Sequence, residues 1–256
     1  MMNLKSLRNR KNKKKVLIKG IAMTDRGCIR QINEDAVELI MPDINDRHSG
    51  KGILAILADG MGGHLAGEVA SEMAVETINE VYYQHQGCPE ESLKNAFKAA
   101  NEKIWMQSQD FLACKGMGNT CSVVVLVEDK LLLAHVGDSR IYHCHDQQIK
   151  QLSTDHTLAA DLDAQGISTK QNQLHVLTKA MGIHQTVEFQ FEIKSPVCRQ
   201  DRYLICSDGL HDLIDDKEIN ALVSMNPLSL AAQSMIALAK HRGGYDNISV
   251  IILEAH

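Results

Sequence analysis

Four aspartates of the 256-residue sequence lie where a predicted strand ends or is about to begin, each beside glycine, serine or asparagine. They are Asp59 in LADGMGG, Asp138 in VGDSR, Asp208 in CSDGL and Asp246 in GYDNIS. A single aspartate of this kind is an ordinary turn signal, but its recurrence indicates that several carboxylates converge at one sheet edge. Converged carboxylates repel each other and resist ionising unless a cation lies among them. Oxygen donors without a matched set of histidines or cysteines favour a hard ion, Mg²⁺ or Mn²⁺.

A fifth acidic segment, RQINEDA, places Glu34 and Asp35 just before a strand, with Arg30 nearby. These residues could simply be solvated loop acids and a surface cation. Beside a metal centre, however, the planar guanidinium of Arg30 could bind two oxygens of a phosphate.

The elements that must position these residues are strands in runs and helices in pairs. Apolar or alternating segments such as GILAILA, CSVVVLV, KLLLAHV and NISVIIL predict strands. Two amphipathic helices follow GILAILA, and Asp215 with Glu218, then Asn226-Pro227, mark later helix starts. Consecutive strands with tight turns imply antiparallel sheets, so we predict an α+β fold with packed sheets and outer helix pairs.

Composition excludes several classes of protein. Residues 1–20 hold eight Lys and Arg and no acid, whereas the remainder holds 19 basic and 32 acidic side chains. We therefore expect a basic tail over residues 1–17, one domain over residues 18–256, and no nucleic acid as the main ligand. No apolar run reaches the ~18 residues of a membrane span, and seven scattered cysteines suggest reduced thiols and a cytoplasmic protein.

Five motifs together carry a resemblance to a known family. TDRGCIRQINEDA, LADGMGGHLAGEVAS, VGDSRIY, LICSDGLHDLI and GGYDNISVIIL occur in the order and spacing of the metal-dependent protein phosphatases of type 2C, in their compact bacterial form. The resemblance covers about residues 18–254. It implies a four-layer α-β-β-α sandwich and hydrolysis of phosphoserine and phosphothreonine in proteins, in opposition to a Ser/Thr kinase. A monomer is expected.

The resemblance also implies roles for individual residues. Asp59 would bridge two Mn²⁺ or Mg²⁺ ions, and Asp208 and Asp246 would hold the first. The Gly60 carbonyl, Asp35 and Glu34 would hold the second ion or its waters. Arg30 would bind the substrate phosphate. Asp138, Asp208 and Asp212 would match a weaker third metal site, while Asn247, Thr120 and Ser139 support the site, and a flap over residues 155–179 would lie beside it.

The expected chemistry is direct attack on phosphorus by a hydroxide bridging two metals, with no phosphoenzyme. Met61 stands where many eukaryotic relatives have a histidine that is proposed to protonate the leaving alcohol. In this sequence, a metal-bound water is favoured over His64 as the proton donor. Two alternatives stay open: a catalytically weak or inactive binding module of the same fold, and another metal hydrolase, such as a phosphodiesterase that uses the basic tail. His143 and His145 share one face of a strand, but the sequence shows no third zinc ligand, which favours surface histidines.

Overall fold

A computed structural model describes residues 17–43, 49–62, 66–168 and 175–256 of the chain. Residues 1–16 of the expected tail, His64 and residues 169–174 of the expected flap lie outside the described residues. Ten strands are found in the described residues: β1 Ile18–Asp25, β2 Asp35–Ile40, β3 Ile53–Met61, β4 Gly118–Val127, β5 Lys130–Val136, β6 Arg140–His145, β7 Gln148–Gln151, β8 Gln190–Lys194, β9 Arg202–Cys206 and β10 Ile248–Ala255.

The strands form two antiparallel sheets of five. One sheet has the order β1-β10-β9-β6-β7 and the other the order β2-β3-β4-β5-β8. In the second sheet the register places Asp35 opposite Asp59, and Asp59 opposite Thr120 on its other side. Successive side chains along a strand point to opposite faces of the sheet. Because β4 and β5 are buried at nearly every position, both faces of their sheet are buried.

In the part of the chain that the structure describes, six α-helices accompany the sheets: α1 Ala66–Gln84, α2 Pro89–Asp110, α3 Leu158–Ala164, α4 Asp208–His211, α5 Asp216–Val223 and α6 Leu228–His241. The α1–α2 pair packs on the outer face of the β2-to-β8 sheet around Phe97, Ile78 and Tyr82. The α5–α6 pair covers the outer face of the other sheet, around Met235 and Tyr142. A third apolar core lies between the sheets, as the predicted four-layer α-β-β-α sandwich requires.

Local signals read from the sequence explain several helix ends. Asp215 accepts a hydrogen bond from the Glu218 amide, and the Glu218 side chain accepts one from the Asp215 amide, which completes a capping box. Pro227 directly precedes α6, in agreement with the predicted start of the last helix. Neither β7 nor the short α4 was predicted from the sequence.

Within the described ranges, no helix has the length and apolarity needed to cross a lipid bilayer.

Candidate metal centre

The predicted acids converge at one edge of the sandwich, where the two sheets meet. Asp35 and Asp59 are cross-strand neighbours in one sheet. Asp208 follows β9 at the start of α4, and Asp246 precedes β10 in the other sheet. The charges of Asp35, Asp208, Asp138 and Asp246 all act on Asp59, which places these five carboxylates in one cluster. Residues up to 211 positions apart in the chain therefore form a single site.

Asp35 links the two sheets at this edge. It is 7% exposed, and its Oδ2 accepts hydrogen bonds from Ser207 Oγ at 2.9 Å and Ser249 Oγ at 2.6 Å, both from the neighbouring sheet or its margin. Its other carboxylate oxygen, Oδ1, is buried without a hydrogen-bond partner, as is Oε1 of Glu34. Buried carboxylate oxygens are costly when left unpaired, and oxygen ligands of this kind suit a hard divalent cation.

Burial and mutual repulsion shift the protonation of the cluster. Burial, together with the charge of Asp208, raises the pKa of Asp35 to about 7, in spite of the stabilising serine hydrogen bonds. Burial and then the charge of Asp208 raise the pKa of Asp138 to about 7. Burial and the surrounding aspartates hold the pKa of Asp59 well above its usual range, and burial with the charge of Asp246 raises that of Asp208. The donor set and these raised pKa values fit divalent cations, which would offset the repulsion.

These shifts predict a pH dependence for the metal-free protein. Because the folded-state pKa of Asp138 lies above the usual 3.8, the folded chain binds more protons than the unfolded chain between pH ~4 and ~7, and acidification through that window stabilises it. In the presence of a chelator, lowering the pH from 8 to 6 should raise the contribution of Asp138 to the free energy of unfolding by about 1 kcal/mol. Urea titrations of wild type and Asp138→Asn at both pH values measure it.

The comparison with Asp138→Asn is needed because another buried group acts in the opposite direction. Burial, and then the charge of His156, lowers the pKa of His135 to about 4, so this side chain favours unfolding as the pH falls from ~6.5. That contribution is common to both proteins and cancels in their difference. Identical pH dependence in the two proteins would show that Asp138 is not a buried, repelled carboxyl.

Arg30 lies at the open side of the acid cluster. Its Nη2 donates to Asp246 Oδ2 at 2.7 Å and its Nη1 to Glu34 Oε2 at 3.3 Å, while its side chain is 45% exposed. The hydrogen bond and charge of Asp246 raise the pKa of Arg30 against the opposing effect of burial. A permanent cation thus faces solvent at the rim of the cluster, where an incoming oxyanion could bind.

Close backbone packing fixes Gly60 and the loop that carries Glu34. The Gly60 amide donates to Glu34 O at 3.1 Å, and a Cβ added at Gly60 would lie 2.1 Å from the carbonyl oxygen of Gly67. Asn247 holds the same loop, because its Oδ1 accepts from the Glu34 amide and its Nδ2 donates to the carbonyls of Arg26 and Ile32. Thr120 and Ser139 share a buried hydrogen bond of 2.6 Å next to the centre.

Asp212 lies beside Asp208 in a second group that the sequence analysis only partly identified. One ligand atom each from His175, Asp208 and Asp212 lies within 4.8 Å of the others. Although burial opposes the shift, the hydrogen bond and charge of His211, together with the charge of His175, lower the pKa of Asp212. His211 also lies 3.1 Å from the carbonyl of Asp138 through Nε2. His211 directly precedes Asp212 in the motif LICSDGLHDLI, so the sequence could have indicated that it lies at the site. His175 lies in none of the five motifs.

The expected flap segment is anchored at its base. Leu158 and Thr178 form backbone hydrogen bonds with Val176 and His156, which pair the two ends of the segment, and Thr157 caps α3. An ion pair between Arg140 and Asp155 attaches the first end to β6. This pairing brings His175 next to Asp212.

Comparison with known proteins identifies the family. The model of the Protein phosphatase 2C family matches residues 30–242, which is most of the chain. The chain is a member of the protein phosphatase 2C family. The family predicted from the five sequence motifs is therefore confirmed, and the phosphatase is an enzyme of the hydrolase class.

Individual relatives agree with this assignment of the phosphatase. It is 32% identical to the serine/threonine phosphatase stp of Listeria monocytogenes over 242 residues, covering 90% of this chain and 93% of that protein. Its fold superposes on the serine/threonine phosphatase Stp1 of Staphylococcus aureus with a TM-score of 0.84, 31% identity, and 93% and 95% of the two chains covered.

The catalytic domain of the serine/threonine phosphatase PstP, solved in complex with two manganese ions, gives a TM-score of 0.82 at 31% identity, with 94% of this phosphatase and 99% of that chain covered. These likenesses confirm the predicted α+β sandwich.

Proposed function

We propose that this phosphatase removes phosphate from phosphoserine and phosphothreonine in proteins, with two divalent cations held by the acid cluster. The observation that carries the proposal is the convergence of Asp35, Asp59, Asp208 and Asp246, with Asp138, at one edge, with a buried Asp35 oxygen left unpaired. The relatives named serine/threonine phosphatases support the substrate class, and the two-manganese complex of PstP supports the type of cation.

The residues of the cluster divide the binding between them. Asp59, central among the carboxylates, would contact both cations. Asp208 and Asp246 would hold one of them, and Asp35, Glu34 and the Gly60 carbonyl would hold the other or its waters. Asp138, Asp208 and Asp212 would form a weaker third site. Bound there, Mn²⁺ or Mg²⁺ would activate water as the nucleophile and neutralise charge on the phosphate.

The protein side chains would orient the substrate phosphate, and two buried cysteines are excluded as nucleophiles. Arg30 would bind the equatorial phosphate oxygens at the rim and so hold the phosphate in the orientation that in-line attack by water requires. Cys121 and Cys206 are fully buried core thiols whose pKa burial raises, so neither is an activated nucleophile. With these two thiols excluded, the proposed nucleophile is water, and the proposed reaction has no phosphoenzyme. We further propose that the phosphatase acts as a monomer and opposes a Ser/Thr kinase.

The test is release of inorganic phosphate from a phosphothreonine peptide, with and without Mn²⁺. We expect phosphate to be released in the presence of Mn²⁺ and not when a chelator removes the cation. Binding of the peptide in Mn²⁺ without phosphate release would instead identify an inactive module of this fold. Hydrolysis of a nucleic-acid diester in preference to the peptide would favour the other metal hydrolase.

Replacing Arg30 with alanine should weaken substrate binding more than the chemical step. The guanidinium supplies charge-assisted hydrogen bonds worth ~1.5–3 kcal/mol to an anion, whereas the carboxylates that hold the cations remain. We expect KM for the phosphopeptide to rise at least ~10-fold and kcat to fall less. Steady-state kinetics in saturating Mn²⁺ measure both parameters.

Arg26→Ala is the matched control, since this exposed arginine lies in the same loop and its side chain donates to the carbonyl of Gln31. Its kinetic parameters should stay near those of wild type. An Arg30→Ala variant with wild-type KM would remove Arg30 from the substrate site.

A further inference from the structure

An imidazole from outside the five sequence motifs lies at the margin of the acid cluster. Nδ1 of His175 lies 3.3 Å from Oδ2 of Asp212. One ligand atom each from His175, Asp208 and Asp212 lies within 4.8 Å of the other two. The flap segment therefore places a nitrogen donor beside two carboxylates, whereas the aspartates at the centre of the cluster supply oxygen donors.

The two carboxylates of this group come from a single helical turn. Asp208 is the first residue of α4, and the Asp212 amide donates to the Asp208 carbonyl at 2.9 Å. Residues four apart lie on the same face of a helix. Oδ1 of Asp212 lies 3.3 Å from Nδ1 of His211, a side chain that is only 4% exposed. Asp212 is thus contacted from the protein interior through Oδ1, and its Oδ2 remains for the exposed side.

Backbone pairing sets the position of the imidazole. The residue after His175 is Val176, whose carbonyl accepts a hydrogen bond from the Leu158 amide, at the start of α3, at 2.8 Å. The side chains of His175 and Asp212 are 61% and 38% exposed. A cation and its water ligands can therefore reach the group from solvent, while the backbone next to the imidazole is held.

The spacing of the three donors suits one ion. With bonds of ~2.0–2.2 Å, neighbouring ligand atoms lie ~3 Å apart and opposite ones ~4.0–4.4 Å apart. The observed 3.3 Å separation and the 4.8 Å upper bound on the group therefore require only small adjustments. Imidazole nitrogen favours transition metals such as Zn²⁺, whereas sites of oxygen donors alone also suit Mg²⁺. The nitrogen thus gives this group a metal preference that the other carboxylates lack.

We propose that His175 is the nitrogen ligand of a third divalent cation held with Asp208 and Asp212, and that it makes this site prefer transition metals to Mg²⁺. Because Asp208 is also assigned to one of the two catalytic cations, this inference rests on the proposed function. It adds to the proposed third site a ligand from the flap segment. The cation would connect the end of that segment to α4.

Mn²⁺ is the probe for this site, because its electron spin reports directly on nitrogen ligands. Binding to the full chain is measured by equilibrium dialysis, and ¹⁴N modulation of the electron spin echo is recorded at saturation. We expect His175→Ala to weaken binding of the third Mn²⁺ at least ~10-fold, as loss of a metal's partners does, and to abolish the imidazole modulation seen in wild type. Binding of the third Mg²⁺ should weaken less.

His184→Ala is the matched control, since it removes another exposed histidine of the segment before β8 and should keep both the third Mn²⁺ and the nitrogen modulation. Modulation that persists in His175→Ala, or a wild type that binds only two Mn²⁺ at saturation, would overturn the proposal. An equal loss for Mg²⁺ and Mn²⁺ would overturn the metal preference.

Phosphate release is measured separately on the same proteins, so the two proposals can fail independently. A wild type that binds the third Mn²⁺ through His175 but releases no phosphate would overturn the proposed function and support this inference. Mn²⁺-dependent release without nitrogen modulation would support the proposed function and overturn this inference.

Discussion

Replacing Asp59 with asparagine is expected to reduce the Mn²⁺-dependent rate of phosphate release by on the order of 10³-fold or more, equivalent to ~4 kcal/mol of transition-state stabilisation. Asp59 is the carboxylate on which four neighbouring aspartates act, and asparagine removes a full negative charge from the centre of the proposed cation site. Phosphopeptide kinetics in saturating metal, together with calorimetric Mn²⁺ binding, measure the loss.

The same variant should become more stable while it loses activity. Because burial and the surrounding carboxylates raise the pKa of Asp59, its charge destabilises the metal-free folded chain at neutral pH. In chelator at pH 8, Asp59→Asn should therefore have a higher Tm than wild type, and Mn²⁺ should raise its Tm less. Asp110→Asn, an exposed change at the end of α2, should alter neither property. Full activity of Asp59→Asn in saturating metal would contradict the assignment of this residue.

A methyl group at Gly60 should have the second large effect. The Cβ of Gly60→Ala would lie 2.1 Å from the Gly67 oxygen and 2.7 Å from the Glu34 oxygen, both of which belong to the backbone. Relief requires the start of α1 and the Glu34 loop to move apart, at a cost of roughly 1–3 kcal/mol in the free energy of unfolding. A displacement of ~1 Å at the centre can reduce the rate ~10²-fold.

Gly50→Ala is the control for this change, because a Cβ at Gly50 meets nothing within 4 Å. Denaturant unfolding and phosphate release on the two variants separate the steric effect from the general effect of replacing glycine. Wild-type stability and rate in Gly60→Ala would show that the loop and helix adapt freely and that their close approach has no role in the site.

The fold and the convergence of the aspartates could be predicted from sequence because their signals are local. The aspartates at positions 59, 138, 208 and 246 all occur where apolar strands end or begin. A residue at the end of a strand lies at an edge of the sheet, so the sequence indicates where these side chains are placed. The capping box at Asp215 is likewise contained in four residues.

The remaining contacts depend on residues that are distant in the chain. The hydrogen bonds from Ser207 and Ser249 to Asp35 span 172 and 214 positions. His175 reaches Asp212 only because the two ends of the flap segment pair, and Asp201 reaches His143 and His145 across the β6–β9 pairing. A local sequence pattern cannot reveal such contacts. The sequence therefore showed that two histidines share one strand face, but not that the carboxylate of Asp201 lies beside them.

The acid cluster draws its carboxylates from both layers of the sandwich, and the apolar side chains between those layers are mostly buried. Sliding one layer against the other would therefore separate Asp35 and Asp59 from Asp208 and Asp246. By linkage, any cation that binds the aligned arrangement more tightly also resists that slippage. With cations bound in the acid cluster as proposed, conservative repacking of the interlayer side chains would therefore change the affinity of the phosphatase for those cations, although these side chains lie far from the reacting groups.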